Sequence, residues 1–443
     1  MNVLSVWQPG TVVAVESGLA ERATEPLAVR LPGHLLIALS DPARAALSRT
    51  AWTFLVGGWT DPILASLPES SRALQVGREI DELTALGLTE LVGYVPFGWE
   101  PQLAALFAAN GIDQVAVGSV PALAKSAVTD HLGQVVVALP LHEQPPSMVT
   151  SDGRSDRFQL PVDRAWAGQI DANPEAALLY RKMLRLATRW PERPPAEAVD
   201  LLLEAQAASW YLSASDRTRA HTALTLARRR LDQERRLGAD WTKITQLDWD
   251  ADGVGEVHVE NRDLSLVIDP VEGLIKTVDL KTTGRPVSYL PGEPPWRIGR
   301  VLSDGEPRRL PFELEAVEEA RDQITVRMSH PHLAVDLGVK GTNLTFDYRP
   351  VVELGFDRLG PELVLAFDHP VRMRVDGGAW LDIGEPNAHP GHRFRFDDGR
   401  SQILISLAQP GDLFVTGADH GVVVWVNWPV NPGEYRATVS LTG

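Results

Sequence analysis

At 443 residues with 44% apolar content, the chain is too long for one ordinary core and suits two or three domains of roughly 100–200 residues each. Its net charge of −16 excludes nucleic acid or an anionic membrane as the main partner, because like charges repel. With no cysteine, disulfides and thiolate metal or redox sites are excluded, and no run reaches the roughly 18–20 apolar residues of a membrane span.

The first residues, MNVLSVWQPG, have neither a basic n-region nor a continuous apolar h-region, so a soluble cytoplasmic protein is the expectation. Over residues 1–165, short apolar runs alternate with helical patterns. TFLVGG (53–58), VAVGS (115–119) and VVALP (136–140) read as strands that end in Gly, Pro or Ser. SSRALQVGREIDELTALG (70–87) reads as a helix capped by Ser70 or Ser71 and stopped at Gly87. PQLAALFAANG (101–111) reads as a second one, ending at Gly111. Such alternation predicts a parallel sheet with helical crossovers.

Residues 166–239 are helical throughout. Asn173-Pro174 is an N-cap followed by proline in the first turn, after which Leu179, Met183, Leu186 and Trp190 share a stripe that Pro191 ends. A second helix is expected over Ala196–Leu212. A third starts near Ser215 or Asp216, buries Ala220, Leu224, Ala227 and Leu231, and closes at Gly238. The basic run ARRRLDQERR (227–236) is interrupted by Asp232 and Glu234, which reads as a solvated helix face. From 240 to 443 the period is two: ITVRM (324–328), LTFDY (344–348), LVLAF (363–367), QILISL (402–407) and VVVWV (422–426) predict a large antiparallel β-sandwich.

WQPG (7–10), GGWTDPILASLPESSRALQ (57–75), GYVPFGWEPQLAALFAANGIDQVAV (93–117) and DWDADGVGEVHVENRDLSLVIDP (248–270) occur in the order and spacing of glycoside hydrolase family 57. The resemblance is to its 4-α-glucanotransferase and α-amylase branch. It implies a multidomain α/β plus all-β architecture: a truncated (β/α)7-barrel-like parallel sheet domain, a three-helix bundle and a C-terminal β-sandwich.

The family retains anomeric configuration, which needs a nucleophilic and an acid/base carboxyl group about 5–5.5 Å apart. Aligned on Trp99 and Pro101, this chain has Pro96 where the resemblance places the nucleophilic Glu, and proline offers no lone pair. Only TSDGRSDRF (150–158) is similar to the acid/base segment, and it sits too early, which leaves Asp152 as a candidate beside the reading of a plain Asp-Gly turn. The family's binding His is replaced by Trp7, ahead of a kept Gln8 and Pro9, and a Glu is shortened to Asp61. Glu100 and Asp61 are the neighbours that could replace the lost pair; Glu100 also reads as a first-turn helix acid and Asp61 as a cap. Trp7, Trp59 and Trp99 lie beside Pro or Gly in turns, where an indole ring stacks on a sugar while Gln8, Asp61 and Glu100 hydrogen-bond to it.

DWDADG (248–253) sets Asp248, Asp250 and Asp252 at alternate positions before a glycine, with Glu256 near. That is the pattern of a Ca²⁺ loop, or of carboxylates that satisfy turn amides. Asp382, Glu385, His389 and His392 form a second group of ligand types, in a loop broken by Gly and Pro. Apart from that Ca²⁺, no cofactor is expected.

The leading expectation is an inactive relative of these enzymes that binds α-glucan or a related carbohydrate. Two alternatives stand beside it. One is an active retaining glucanotransferase or amylase with displaced carboxylates; the other is a non-catalytic subunit, homo-oligomeric or bound to another protein through the sandwich or through a sheet edge left open by missing barrel units.

Overall fold

The structure, a computed structural model, describes residues 2–3, 6–7, 12–24, 28–60, 62, 64, 67–95, 101–112, 114–118, 136–140, 173–188, 190–191, 194–211, 214–234, 242–249, 253–288, 295–303, 306–320, 323–351, 356–367, 369–383, 385–418, 421–430 and 433–442. Contacts divide the chain into two compact units: Met1–Glu192 with Val199–Ala220, and Arg193–Ala198 with His221–Gly443.

The first unit is built on a seven-stranded sheet. Its spatial order is Asn2–Val3, Val136–Pro140, Gln114–Gly118, Leu91–Val95, Thr53–Val56, Ala28–Arg30 and Val6–Trp7. The last five of these run parallel to one another, as the strand–helix alternation predicts. Val136–Pro140 departs from that expectation and pairs antiparallel with both Gln114–Gly118 and Asn2–Val3. Val3 and Val6 therefore pair at opposite ends of the strand order. Three residues of chain span at most about 11 Å, so the two edges of the sheet are brought together and the sheet curls. Among the described strands, both terminal positions of the sheet are taken by the same N-terminal segment.

Helix Glu69–Ala85 begins at Pro68 rather than at a serine cap, and Ser71 is buried inside it. Gly87 and Gly111 take left-handed backbone (φ +81° and +76°) and end the helices that precede them. Helix Pro101–Ala109 buries Leu103 and Phe107, and Phe107 explains a glycine in mid-strand: a Cβ on Gly93 would lie 3.1 Å from its ring. The core joins Val29, Phe54, Val56, Val76, Leu83, Phe107 and Val115.

The three expected helices are present at Pro174–Thr188, Ala196–Ala205 and Ala214–Glu234. Asn173 caps the first, its side-chain oxygen accepting the Ala176 N–H at 3.0 Å. The second stops at Ala205 and is followed by a 3₁₀ turn, Ala208–Tyr211, instead of running to Leu212. Ala220, Leu224, Ala227 and Leu231 are buried as the periodicity predicts.

From Thr242 to Thr442 the strands are antiparallel throughout. They are linked into one hydrogen-bonded system whose strand order closes on itself, with Glu256–Asn261 pairing both Thr242–Leu247 and Leu264–Asp269. One cluster fills the interior, including Trp296, Phe346, Tyr348, Phe394, Phe396 and Trp428. The basic helix face is only partly a solvated one. Arg230 pairs with Glu197 at the surface, but Arg228 is mostly buried against Glu260 and Asp232, and Lys281 binds the same two acids.

Candidate functional site

Parallel sheets present their chemistry at the carboxyl ends of the strands, where backbone groups run out of ladder partners. Here that end is occupied by an ion pair. Arg30, the last residue of Ala28–Arg30, and Glu79, from the middle of helix Glu69–Ala85, are both fully buried and bound to each other. The guanidinium also donates to the carbonyls of Leu55, at 3.2 Å, and Gly58. The second carboxylate oxygen of Glu79 accepts the backbone N–H groups of Gly57 and Gly58 at 3.1 and 2.8 Å. Each of these contacts is one that a carboxylate oxygen accepts.

Gln75 and Thr60 extend the network. The Thr60 N–H reaches Gln75 Oε1 at 3.1 Å. The Gln75 amide donates to Leu203 O and Gln206 Oε1 at 3.1 and 2.9 Å, while the Thr60 hydroxyl donates to Leu203 O at 2.7 Å. Pro62 bridges to Ala207. The Gly-Gly-Trp-Thr turn is thus held from both sides.

Trp59 is one of the expected sugar platforms, and it is enclosed, only 4% exposed. Its ring fills the space beside Gly33, where a Cβ would come within 2.1 Å, and the Arg78 guanidinium lies 4.7 Å from its centroid. In this arrangement the ring offers no open face. Trp7 ends its strand with only its backbone described. Gln8, Asp61, Pro96, Trp99, Glu100 and Asp152 lie outside the described residues.

Glu175 and Arg217 went unnoticed in the sequence. Arg217 Nε donates to Glu175 Oε2 at 3.1 Å and its Nη1 to Tyr211 O at 3.2 Å. Glu175 Oε1 is buried without a hydrogen-bond partner. Burial pushes this carboxyl up to about 7, against the opposing pull of Arg217. Tyr211, edge-on to Tyr180 at 4.9 Å and hydrogen-bonded to Ala205 O, is raised well above the usual phenol range by burial.

At the acidic loop, Asp248 accepts the Gly253 N–H at 3.2 Å, which is turn closure. Glu256 is engaged by the Trp249 N–H and by Lys276 at 2.8 Å. Asp250 and Asp252 lie outside the described residues. Among those described, no group of three or more His, Asp or Glu could hold a metal, which includes Asp382, Glu385, His389 and His392.

A signal for Glu79 was available. It falls between Val76 and Leu83 on the buried stripe of its helix, where an acid needs a partner. Nothing local points to Arg30 as that partner, 49 positions away.

No protein-family model matches the sequence, and no curated protein matches it. Among solved structures, the 4-alpha-glucanotransferase of Thermococcus litoralis superposes with a TM-score of 0.68 at 14% identity, covering 100% of this chain and 99% of that one. The chain shares the fold of that enzyme. The family 57-like architecture implied by the motifs therefore extends over the full length, and at this identity the likeness is one of fold. A galactose mutarotase-like protein from Lactobacillus casei covers 42% of this chain and 99% of its own, with a TM-score of 0.31 and 7% identity. An alpha-N-acetylgalactosaminidase from Bifidobacterium bifidum covers 42% and 36%, with a TM-score of 0.33 and 10% identity. Overlaps that partial say nothing of function.

Proposed function

We propose that this protein binds α-glucan or a related carbohydrate at the strand ends of its curled sheet and does not cleave it. The observation that carries this reading is the Arg30–Glu79 pair: the buried acid at the strand ends is neutralised and hydrogen-bonded on both oxygens. Pro96 in the nucleophile's position supports it, and so does the shared fold. Trp7 and Trp99 stack on the sugar, with Gln8, Asp61 and Glu100 as its hydrogen-bonding partners. Native electrophoresis through a gel containing soluble starch tests the reading. Retarded migration that Trp99→Ala restores to normal supports it; unretarded migration of the wild type opposes it.

A second reading is catalysis by displaced carboxylates, Glu100 and Asp61. It requires maltooligosaccharide products on thin-layer chromatography that vanish in Glu100→Gln or Asp61→Asn.

A further inference from the structure

The strand Gly421–Pro429 turns Val422, Val424, Val426 and Trp428 into the core of the second unit, so Trp425 and Asn427 stand on the opposite face. Pairing across neighbouring strands builds a row on that face: Arg297 opposite Glu362, Glu362 opposite Trp425, Trp425 opposite Phe414. Arg297 binds Glu362 at 2.8 Å and Arg300 binds it as well. The Arg300 guanidinium lies 4.5 Å from the Trp425 ring centroid, and the Phe414 ring is 5.7 Å from it at 31°. Asp412, opposite Asn427, takes a contact from Arg358 at 3.5 Å.

This face contains polar atoms that the protein leaves unmatched. Trp425 is 7% exposed and Asn427 2%, yet Trp425 Nε1 and Asn427 Oδ1 are buried with no hydrogen-bond partner, and so is Arg300 Nε. The unmatched donor and the unmatched acceptor belong to residues two apart on one strand, whose Cα atoms lie about 7 Å from each other on the same face. Buried groups in that condition are costly and call for an explanation. An anion would satisfy Trp425 and Arg300 but face the Asn427 oxygen and Glu362. A cation would satisfy the acids and find two unmatched N–H groups. Hydroxyl groups both donate and accept, and an Asn427 amide turned the other way would suit them equally. Phe414, 39% exposed, adds an aromatic face at the rim.

We infer that the Arg300–Glu362–Trp425–Asn427 face is a second carbohydrate site, which takes a neutral pyranose with its ring against Phe414 and its vicinal hydroxyls on Trp425 Nε1 and Asn427 Oδ1. It stands on observations separate from the strand-end site. The test is calorimetric titration of the full chain with maltotriose, cellotriose, mannotriose and galactobiose, using the wild type, Phe414→Ala, Asn427→Leu and Trp99→Ala. One of these sugars gives saturable binding that Phe414→Ala and Asn427→Leu each weaken about tenfold or more and that Trp99→Ala retains. Asn427→Leu also keeps or raises the thermal midpoint, because it removes a buried acceptor with no partner. Phe414 is exposed enough that its truncation leaves the fold intact, which keeps the test decisive if Asn427→Leu does not fold. Binding lost in Trp99→Ala and untouched by both sheet variants overturns the inference and leaves the strand-end reading standing. No saturable heat with any sugar overturns it as well, and assigns the unmatched atoms to buried water.

Discussion

Arg30 and Glu79, 49 positions apart, meet as a fully buried ion pair that closes the strand ends of the curled sheet. The two residues fix the Gly57–Gly58 backbone, and with it Trp59, so the pair shapes the candidate site without reacting in it.

Removing one member leaves the other charge buried without its counter-ion. Glu79→Ala is expected to cost about 3–5 kcal/mol, whereas the paired replacement Arg30→Met with Glu79→Leu is expected to be much closer to neutral. Urea denaturation of the single and double variants measures the difference. Equal destabilisation by both would show that the strand ends do not depend on the pair.

Gly33→Ala tests the seat of Trp59. The added methyl would meet the indole at 2.1 Å, so the ring must leave or the backbone must shift, at a cost of about 1–3 kcal/mol. Destabilisation with a red-shifted fluorescence spectrum is the expected outcome.

Lys281 holds Glu260 and Asp232 at 2.8 and 2.9 Å inside the second unit. Burial raises the Glu260 carboxyl, but Lys281, Arg228 and His258 together outweigh burial and bring it down to about 2. A lowered carboxylate contributes stability above its unfolded value, 4.5, and that contribution is lost as pH falls from 4.5 towards 2. Lys281→Met is therefore expected to lose about 3–5 kcal/mol at neutral pH, with the gap to wild type narrowing across that acid window. Unfolding midpoints at both ends of the window check it.

Glu175 has the opposite sign. Its carboxyl is raised from 4.5 to about 7, so the folded state binds the proton more tightly, and stability declines as pH rises through that interval. Thermal midpoints of the wild type should fall between those values relative to Glu175→Gln. Parallel pH profiles for the two proteins would contradict the assignment.

Periodicity revealed the elements because the core is built one face at a time. Leu224, Ala227 and Leu231 lie at helical spacing, and Val422, Val424 and Val426 at strand spacing, so both patterns could be read directly. Asn173 was legible because a cap acts on a backbone group three residues away. The reversed strand Val136–Pro140 was not, since an apolar run carries no direction. The linkage of the large sheet was likewise hidden, because it depends on pairings between distant segments, such as Trp296–Ser303 with Arg358–Ala366 and Asn343–Pro350 with Tyr435–Thr442. The site divides in the same way. Motif order pointed to the strand ends, but Arg30 and Glu79 meet only through the fold, and nothing in Trp59's neighbours revealed that Gly33 makes room for its ring.

The most direct test of binding without cleavage is calorimetric titration of the full chain with maltoheptaose, with the same solution chromatographed for products at intervals. Saturable heat that Trp99→Ala weakens, with maltoheptaose unchanged, is the predicted result. Shorter or longer maltooligosaccharides accumulating with time, or no heat at any sugar concentration, would contradict it.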